Sequence, residues 1–223
     1  MAGKSSFELT DLHGASHAHP SSRPTLLCFA KEDCETCNTA APVIEALHRA
    51  YGDQAQVWMI SQTAEGSTVL KDRHGLTLPI LDDSDLQTSF AYDFNIVPAV
   101  YWVPDGETVK TMFEGFVKTE WQDLDAAMAA ELNKDHAEID WASLPDWRPG
   151  CGSKHLDPDI NDRLRAEAED SPIRARKIEI AQADDVAEFM FDQGFSDGLP
   201  LVPPTPERVM RMLSGTARAP QDV

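Results

Sequence analysis

The sequence predicts an α/β fold, a central mixed sheet flanked by helices, followed by an extended and partly helical appendage. Three observations carry that expectation. Two short apolar runs, SRPTLLCFA ending at Ala30 and QVWMIS ending at Ser61, read as buried central strands. Each is followed by a segment with helical character. Further on, FNIVPAVYWVPDGETVKTMFEGF reads as two strands joined at Pro104-Asp105-Gly106, so the sheet ends antiparallel.

Taken in order, the first strand leads into a helix from about Cys34 to Ala50. Its apolar positions Val43, Ile44, Leu47 and Ala50 recur at helical spacing until Tyr51-Gly52 stops them. After the second strand, residues 64–73 look helical and close at His74-Gly75, and TLPIL (77–81) is a brief extended piece. A helix then fits Ser84 to Tyr92 with Ser84 as its N-cap. Beyond the hairpin, Trp121, Leu124, Ala127, Met128 and Leu132 mark an amphipathic helix from Thr119 to about Asn133. The chain then turns polar, acidic and rich in Pro and Gly, which sets a boundary near residue 134: a domain over 1–133 and an extension over 134–223. Within the extension a helix fits Asp184 to Gln193, and another starts with Thr205 as N-cap and Pro206 in its first position.

At 223 residues the chain can bury a full core without staples, and no apolar run approaches the roughly 20 residues that span a bilayer. A net charge of −19 opposes nucleic-acid binding, because phosphate contacts need clustered Lys and Arg. The N-terminus offers no apolar signal segment, so the expected location is cytoplasmic. Four cysteines, Cys28, Cys34, Cys37 and Cys151, are too few for a disulfide scaffold.

The pair in KEDCETCNTAAP therefore reads as catalytic or metal-binding. At the start of a helix, unpaired amides and the helix dipole favour a Cys34 thiolate, which is the nucleophile. Cys37, one turn inward, can attack a mixed disulfide on Cys34 and release the product. Half of a zinc site has the same spacing, but a structural zinc wants four ligands. Cys28 lies inside an apolar strand and Cys151 is distant, so no metal is expected.

From about Phe7 to Leu132 the chain resembles the thioredoxin superfamily, in its TlpA-like or redoxin branch. The CxxC follows a buried strand, and Pro42 falls five positions after Cys37, where thioredoxins kink their active-site helix. Val97-Pro98 opens the hairpin where the family holds a cis-proline, and SQTAEGSTVLKDRHGLTLPILDD resembles the redoxin insert. The resemblance implies an N-terminal hairpin and a thiol-disulfide oxidoreductase without a cofactor. It also implies a cis Pro98 packed against the dithiol, with the Val97 backbone free to pair with a substrate strand. The implied partners are a disulfide-bearing protein or small molecule and a reductase as electron donor.

The sequence departs from the family in two ways. No tryptophan precedes the nucleophile, and Cys28 stands where thioredoxins keep a buried acid that assists proton transfer to the inner thiol. Cys28 is expected to act as core packing. Peroxiredoxins resemble a Pro-x-x-x-Thr-x-x-Cys pattern at this junction, and here Leu27 and Lys31 occupy the Pro and Thr positions. Glu32, Asp33 and Glu35 crowd Cys34, with Lys31 opposing them, so the expected net effect is a raised thiol and reductase behaviour.

Cys151, in WRPGCGSK, reads as a cysteine on an exposed, mobile loop, either without a role or as a third redox thiol relaying electrons with Cys34. His13, His17 and His19 read as a solvated loop rather than a metal tract. Trp58, Trp102 and Trp121 are expected in the core, and Trp141 and Trp147 as anchors of the tail. The segment GFSDGLPLVPPTPERVMRML could wrap a partner subunit, burying Leu199, Leu201 and Val202. The alternative to an enzyme is thus a redox-idle or regulatory subunit that binds a partner chain through residues 134–223.

Overall fold

The computed structural model describes residues 6–168, 178, 180–181, 185–199, 201–216 and 218. The chain divides into two compact units, residues 1–157 and 158–223. The division falls after Asp157 rather than near residue 134, because residues 147–152 pair as strands with the first unit's own backbone.

The first unit opens with a hairpin of β1 (Phe7–Thr10) and β2 (Ser16–His19). Its main sheet has five strands in the order β5-β4-β3-β7-β8, formed by β3 (Thr25–Ala30), β4 (Gln56–Ser61), β5 (Ile80–Asp82), β7 (Ala99–Val103) and β8 (Thr111–Glu114). The strands β3, β4 and β5 run parallel, and β7 and β8 continue the sheet antiparallel. Every residue of β3 and β7 is buried, which is why both read as continuous apolar runs rather than alternating ones. The helices α1 (Glu35–Tyr51), α2 (Ala64–His74), α3 (Gln87–Tyr92) and α4 (Lys118–Leu132) connect the strands. Four short strands complete the unit: β6 (Ile96–Val97) before β7, β9 (Phe116–Val117) after β8, and, in the segment after α4, β10 (Trp147–Arg148) and β11 (Cys151–Gly152).

Helix ends follow local chemistry. Thr63 caps α2, its hydroxyl accepting from the Gly66 N–H at 3.0 Å, and Gly75 closes it in the left-handed region at φ 61°. Asn133 closes α4 in the same conformation. The start expected at Ser84 is displaced to Gln87. Asp83, not Ser84, supplies the acceptors there, taking the N–H groups of Thr88 at 2.9 Å and Ser89 at 2.8 Å. The Ser84 N–H is spent on Asp82.

Phe29, Leu26, Leu27, Ile44, Leu47, Met59 and Ile60 fill the core around β3. Trp58, Trp102 and Trp121 join them as expected. Beyond α4, the buried Asp125 carboxylate turns the chain back by accepting from the Tyr51 hydroxyl, the Ala137 N–H at 3.0 Å and His136 at 2.8 Å. Trp141 packs on the core, whereas the Trp147 ring is exposed, so the tail is tied down at that point by its backbone and not by an aromatic anchor.

The second unit contains α5 (Pro158–Ala168), α6 (Val186–Asp192) and α7 (Pro206–Leu213). Asp185 caps α6 through the N–H groups of Ala187 and Glu188, while the start expected at Asp184 lies outside the described residues. The helix α7 begins at Pro206 behind Thr205. Among the described residues no helix is long and apolar enough to cross a membrane.

Candidate active site

The first parallel strand delivers the chain to the head of α1, where Cys34 is the N-cap, with extended backbone at φ −100° and ψ 114°. A helix start leaves amides without partners, and the Cys34 sulfur takes one of them, accepting from the Cys37 N–H at 3.3 Å. Pro42 stands inside the same helix, where it removes the N–H that would bond back to the Asn38 carbonyl. Across from the helix, the Val97 carbonyl lies 3.6 Å from the Cys34 sulfur. The Val97-Pro98 peptide bond is cis, Pro98 is buried, and its carbonyl accepts from the Gly115 N–H at 2.8 Å. Cys34, Cys37 and Val97 thus meet beyond the C-terminal end of the central strand β3, with Pro98 next in the chain after Val97.

The two thiols are pushed in opposite directions. The Cys34 thiol falls to about 5, chiefly because the Cys37 side chain hydrogen-bonds its sulfur. Burial opposes this, while the Cys151 side chain and the amides of Cys37 and Thr36 reinforce it. Burial pushes the Cys37 thiol well above its ordinary value, and its bond to Cys34 holds the proton on it. The raised nucleophile expected from the neighbouring acids is therefore corrected. Asp33 faces Lys31 at 3.6 Å, Glu35 faces Arg148 at 3.4 Å, and Glu32 accepts from the Thr63 hydroxyl at 2.8 Å. Each acid is engaged elsewhere, and the short-range donors win.

Cys28 is fully buried at the middle of β3, paired with Met59 and Val100, and burial alone pushes its thiol up. It is a core residue. Cys151 is not on a mobile, exposed loop: it is half-buried in β11, directly opposite Val97, whose carbonyl lies 3.6 Å from the Cys34 sulfur. Burial first, and then the neighbouring Cys34, raise the Cys151 thiol to about 11.

The histidine expectation is also corrected. His17 and His19 belong to β2 rather than a solvated loop; His19 is buried and stacked on Phe7, and His17 bonds Asp11 at 2.9 Å. Among the described residues no group of three or more His, Cys, Asp or Glu side chains could hold a metal ion.

Sequence reasoning missed the residues that hold the Cys151 segment in place. The Thr36 hydroxyl, in the first turn of α1, donates to the Pro149 carbonyl. The Gln62 amide donates to the hydroxyls of Ser89 at 2.9 Å and Ser153 at 2.6 Å, and its oxygen accepts from the Lys154 N–H at 3.1 Å. Ser89 in turn donates to Asp83 at 2.7 Å. None of these carries a motif. The one readable signal was Gly150-Cys151-Gly152, since small residues beside a cysteine let backbone approach closely.

No protein-family model matches the chain, and no curated protein does. Solved structures do. A Chlorobium tepidum protein proposed to be the thiol:disulfide interchange protein DsbE superposes with a TM-score of 0.54 at 16% identity, over 59% of this chain and 98% of that one. A Bacteroides thetaiotaomicron protein proposed to be a protein disulfide isomerase gives 0.53 at 17% identity, over 59% and 89%. The thioredoxin domain of a thiol-disulfide oxidoreductase from Bacteroides vulgatus gives 0.50 at 12% identity, over 57% and 96%. With its N-terminal hairpin, its strand-helix insert and the mixed sheet between them, the first unit has a thioredoxin-like fold.

Proposed function

We propose that the chain is a thiol-disulfide oxidoreductase in which Cys34 attacks, Cys37 resolves, and Val97 with Pro98 shapes the substrate groove. The observation that carries this reading is the geometry at one helix start, where the N-cap Cys34 sulfur accepts from the Cys37 N–H at 3.3 Å and lies 3.6 Å from the Val97 carbonyl before a cis Pro98. The Cys34 thiolate attacks one sulfur of a substrate disulfide, forming a mixed disulfide and expelling the other sulfur as a thiolate. Cys37 then gives its proton to that leaving thiolate and attacks the Cys34 sulfur. The second substrate thiolate departs, and Cys34-Cys37 is left oxidised by the two electrons the substrate has gained. A reductase restores the dithiol.

A stabilised Cys34 thiolate favours the reduced form, so the expected potential lies between the about −270 mV of thioredoxin and the about −120 mV of a strong oxidant. This is less reducing than the reductase behaviour that the acids in the sequence suggested. Sparing use of cysteine suits a reducing, cytoplasmic setting. Insulin or DTNB turnover with a thioredoxin reductase tests the reading. Cys34→Ser should lose it entirely, and turnover that survives in that variant would overturn the assignment.

A second reading has one observation in its favour. Phe191, Phe195, Leu199, Leu201 and Val202 are exposed, as they would be on a subunit that holds a partner chain through its C-terminal part. Co-purification of a second chain in equal amount with the wild type and with Cys34→Ser would support it.

A further inference from the structure

The edge on which a thioredoxin-like domain would receive a foreign strand is already occupied. The two residues of β6, just before Pro98, pair antiparallel with β11, placing Cys151 opposite Val97 and Gly152 opposite Ile96. The ladder continues as the Ser153 N–H donates to the Asn95 carbonyl at 2.9 Å. At its other end the same segment pairs Trp147 with Val117 and Arg148 with Phe116. Between these anchors, Pro149 accepts from Thr36 on the nucleophile's own helix. Gly150 approaches so closely that an added Cβ would meet the Val97 carbonyl oxygen at 2.5 Å and Ile96 Cγ2 at 2.0 Å. Beneath this strap the Cys34 sulfur has no exposed surface at all. Main-chain pairing to a sheet edge, with one side chain delivered into the site, is how extended peptides are recognised.

We propose that residues 147–153 are a built-in substrate strand, with Cys151 exchanging disulfides with Cys34 as a cysteine of a foreign substrate would. The inference rests on the oxidoreductase reading and deepens it. When Cys34 and Cys37 are joined, the Cys151 sulfur attacks that of Cys34. The Cys34-Cys37 bond breaks as Cys34-Cys151 forms, and Cys37 leaves with the electron pair and takes up the proton that Cys151 gives up. No oxidant is consumed, since the same two oxidising equivalents stay within three sulfurs. The chain then has two oxidised forms, and a foreign disulfide reaches Cys34 only when the strap lifts.

The test uses the full-length Cys37→Ser chain, with Cys37→Ala beside it in case the buried serine perturbs folding, and DTNB as the probe. Attack by Cys34 releases one thionitrobenzoate, and attack by Cys151 on the resulting mixed disulfide releases a second. Peptide mapping by mass spectrometry is expected to find Cys34 joined to Cys151, with about two equivalents released per chain. Adding Cys151→Ser should stop the reaction at one, leaving a stable Cys34 adduct. If the adduct persists while Cys151 is still a free thiol, the strand is passive packing and this inference falls, but the dithiol chemistry stands. If Cys34 does not react even in the unfolding-sensitive absence of the strap's pairing, as in a Gly150→Val version of either variant, both fall together.

Discussion

Residues 134–157 and the described stretch from Asp185 onward are both punctuated by Pro and Gly and both carry more acidic than basic residues, yet their fates differ. The first is stitched to the backbone of β6 and β9 and covers the nucleophile. The second forms two short helices and keeps its apolar side chains in the open, with Leu199 69%, Val202 74% and Met212 77% exposed. Apolar content does not explain the difference, since the second stretch is the richer in Phe, Met and Val. What does is whether a stretch finds unpaired amides and carbonyls to satisfy: a two-residue strand edge recruits the first, since buried backbone groups left without partners are costly.

The largest way to break that contrast is to unstitch the first stretch. Gly150→Val puts a branched side chain where even a Cβ would sit 2.5 Å from the Val97 carbonyl oxygen. It is expected to cost about 2–3 kcal/mol in chemical denaturation, within the usual range for overpacking a tight contact. At the same time it should uncover Cys34, so its alkylation by iodoacetamide is expected to quicken by about tenfold as local opening becomes cheaper. Unchanged alkylation with unchanged stability would mean that the strap does not guard the nucleophile.

A smaller perturbation asks whether the strap is chemically engaged rather than merely adjacent. With its thiol depressed to about 5, Cys34 should alkylate at a rate that rises through pH 5 and levels off by about pH 7, whereas an ordinary thiol keeps climbing to about pH 9. Because the folded-state value lies below the unfolded one, the reduced chain is expected to gain stability as pH rises from about 5 towards 8 and to lose it as pH falls through 5. Cys151→Ala removes one of the bonds to the Cys34 sulfur and should move the midpoint upward. A midpoint that does not move would show that the Cys151 thiol leaves the nucleophile untouched.

The sheet and α1 were legible because periodicity and burial coincide there. The run TLLCFA is apolar at every position and lies buried at every position, and Pro42 and the cysteines have positions that chemistry explains. The sign of the Cys34 shift was not legible. Charges show in a sequence, but Glu35 and Glu32 are drawn to partners that only the folded chain brings near, Arg148 being 113 residues from Glu35 and Thr63 31 residues from Glu32. The strap was hidden for a related reason. A Gly-Cys-Gly run reads as a loop, because nothing local to it shows that it pairs with the two-residue edge Ile96-Val97.

The smallest effect belongs to the second stretch, and it sharpens the contrast from the other side. A side chain that is mostly in water in the folded state loses little when it is made polar, so Val202→Ser and Met212→Ser should each shift stability by no more than about 0.5 kcal/mol. Neither should change the rate at which Cys34 alkylates, since the strands that pair beside the nucleophile, β6 and β11, belong to the first unit. Thermal denaturation followed by circular dichroism reads the first quantity and timed alkylation the second. A loss of several degrees from either serine would mean that these apolar groups are covered in solution, by another copy or another chain, and that the open character of the second stretch belongs to the isolated chain alone.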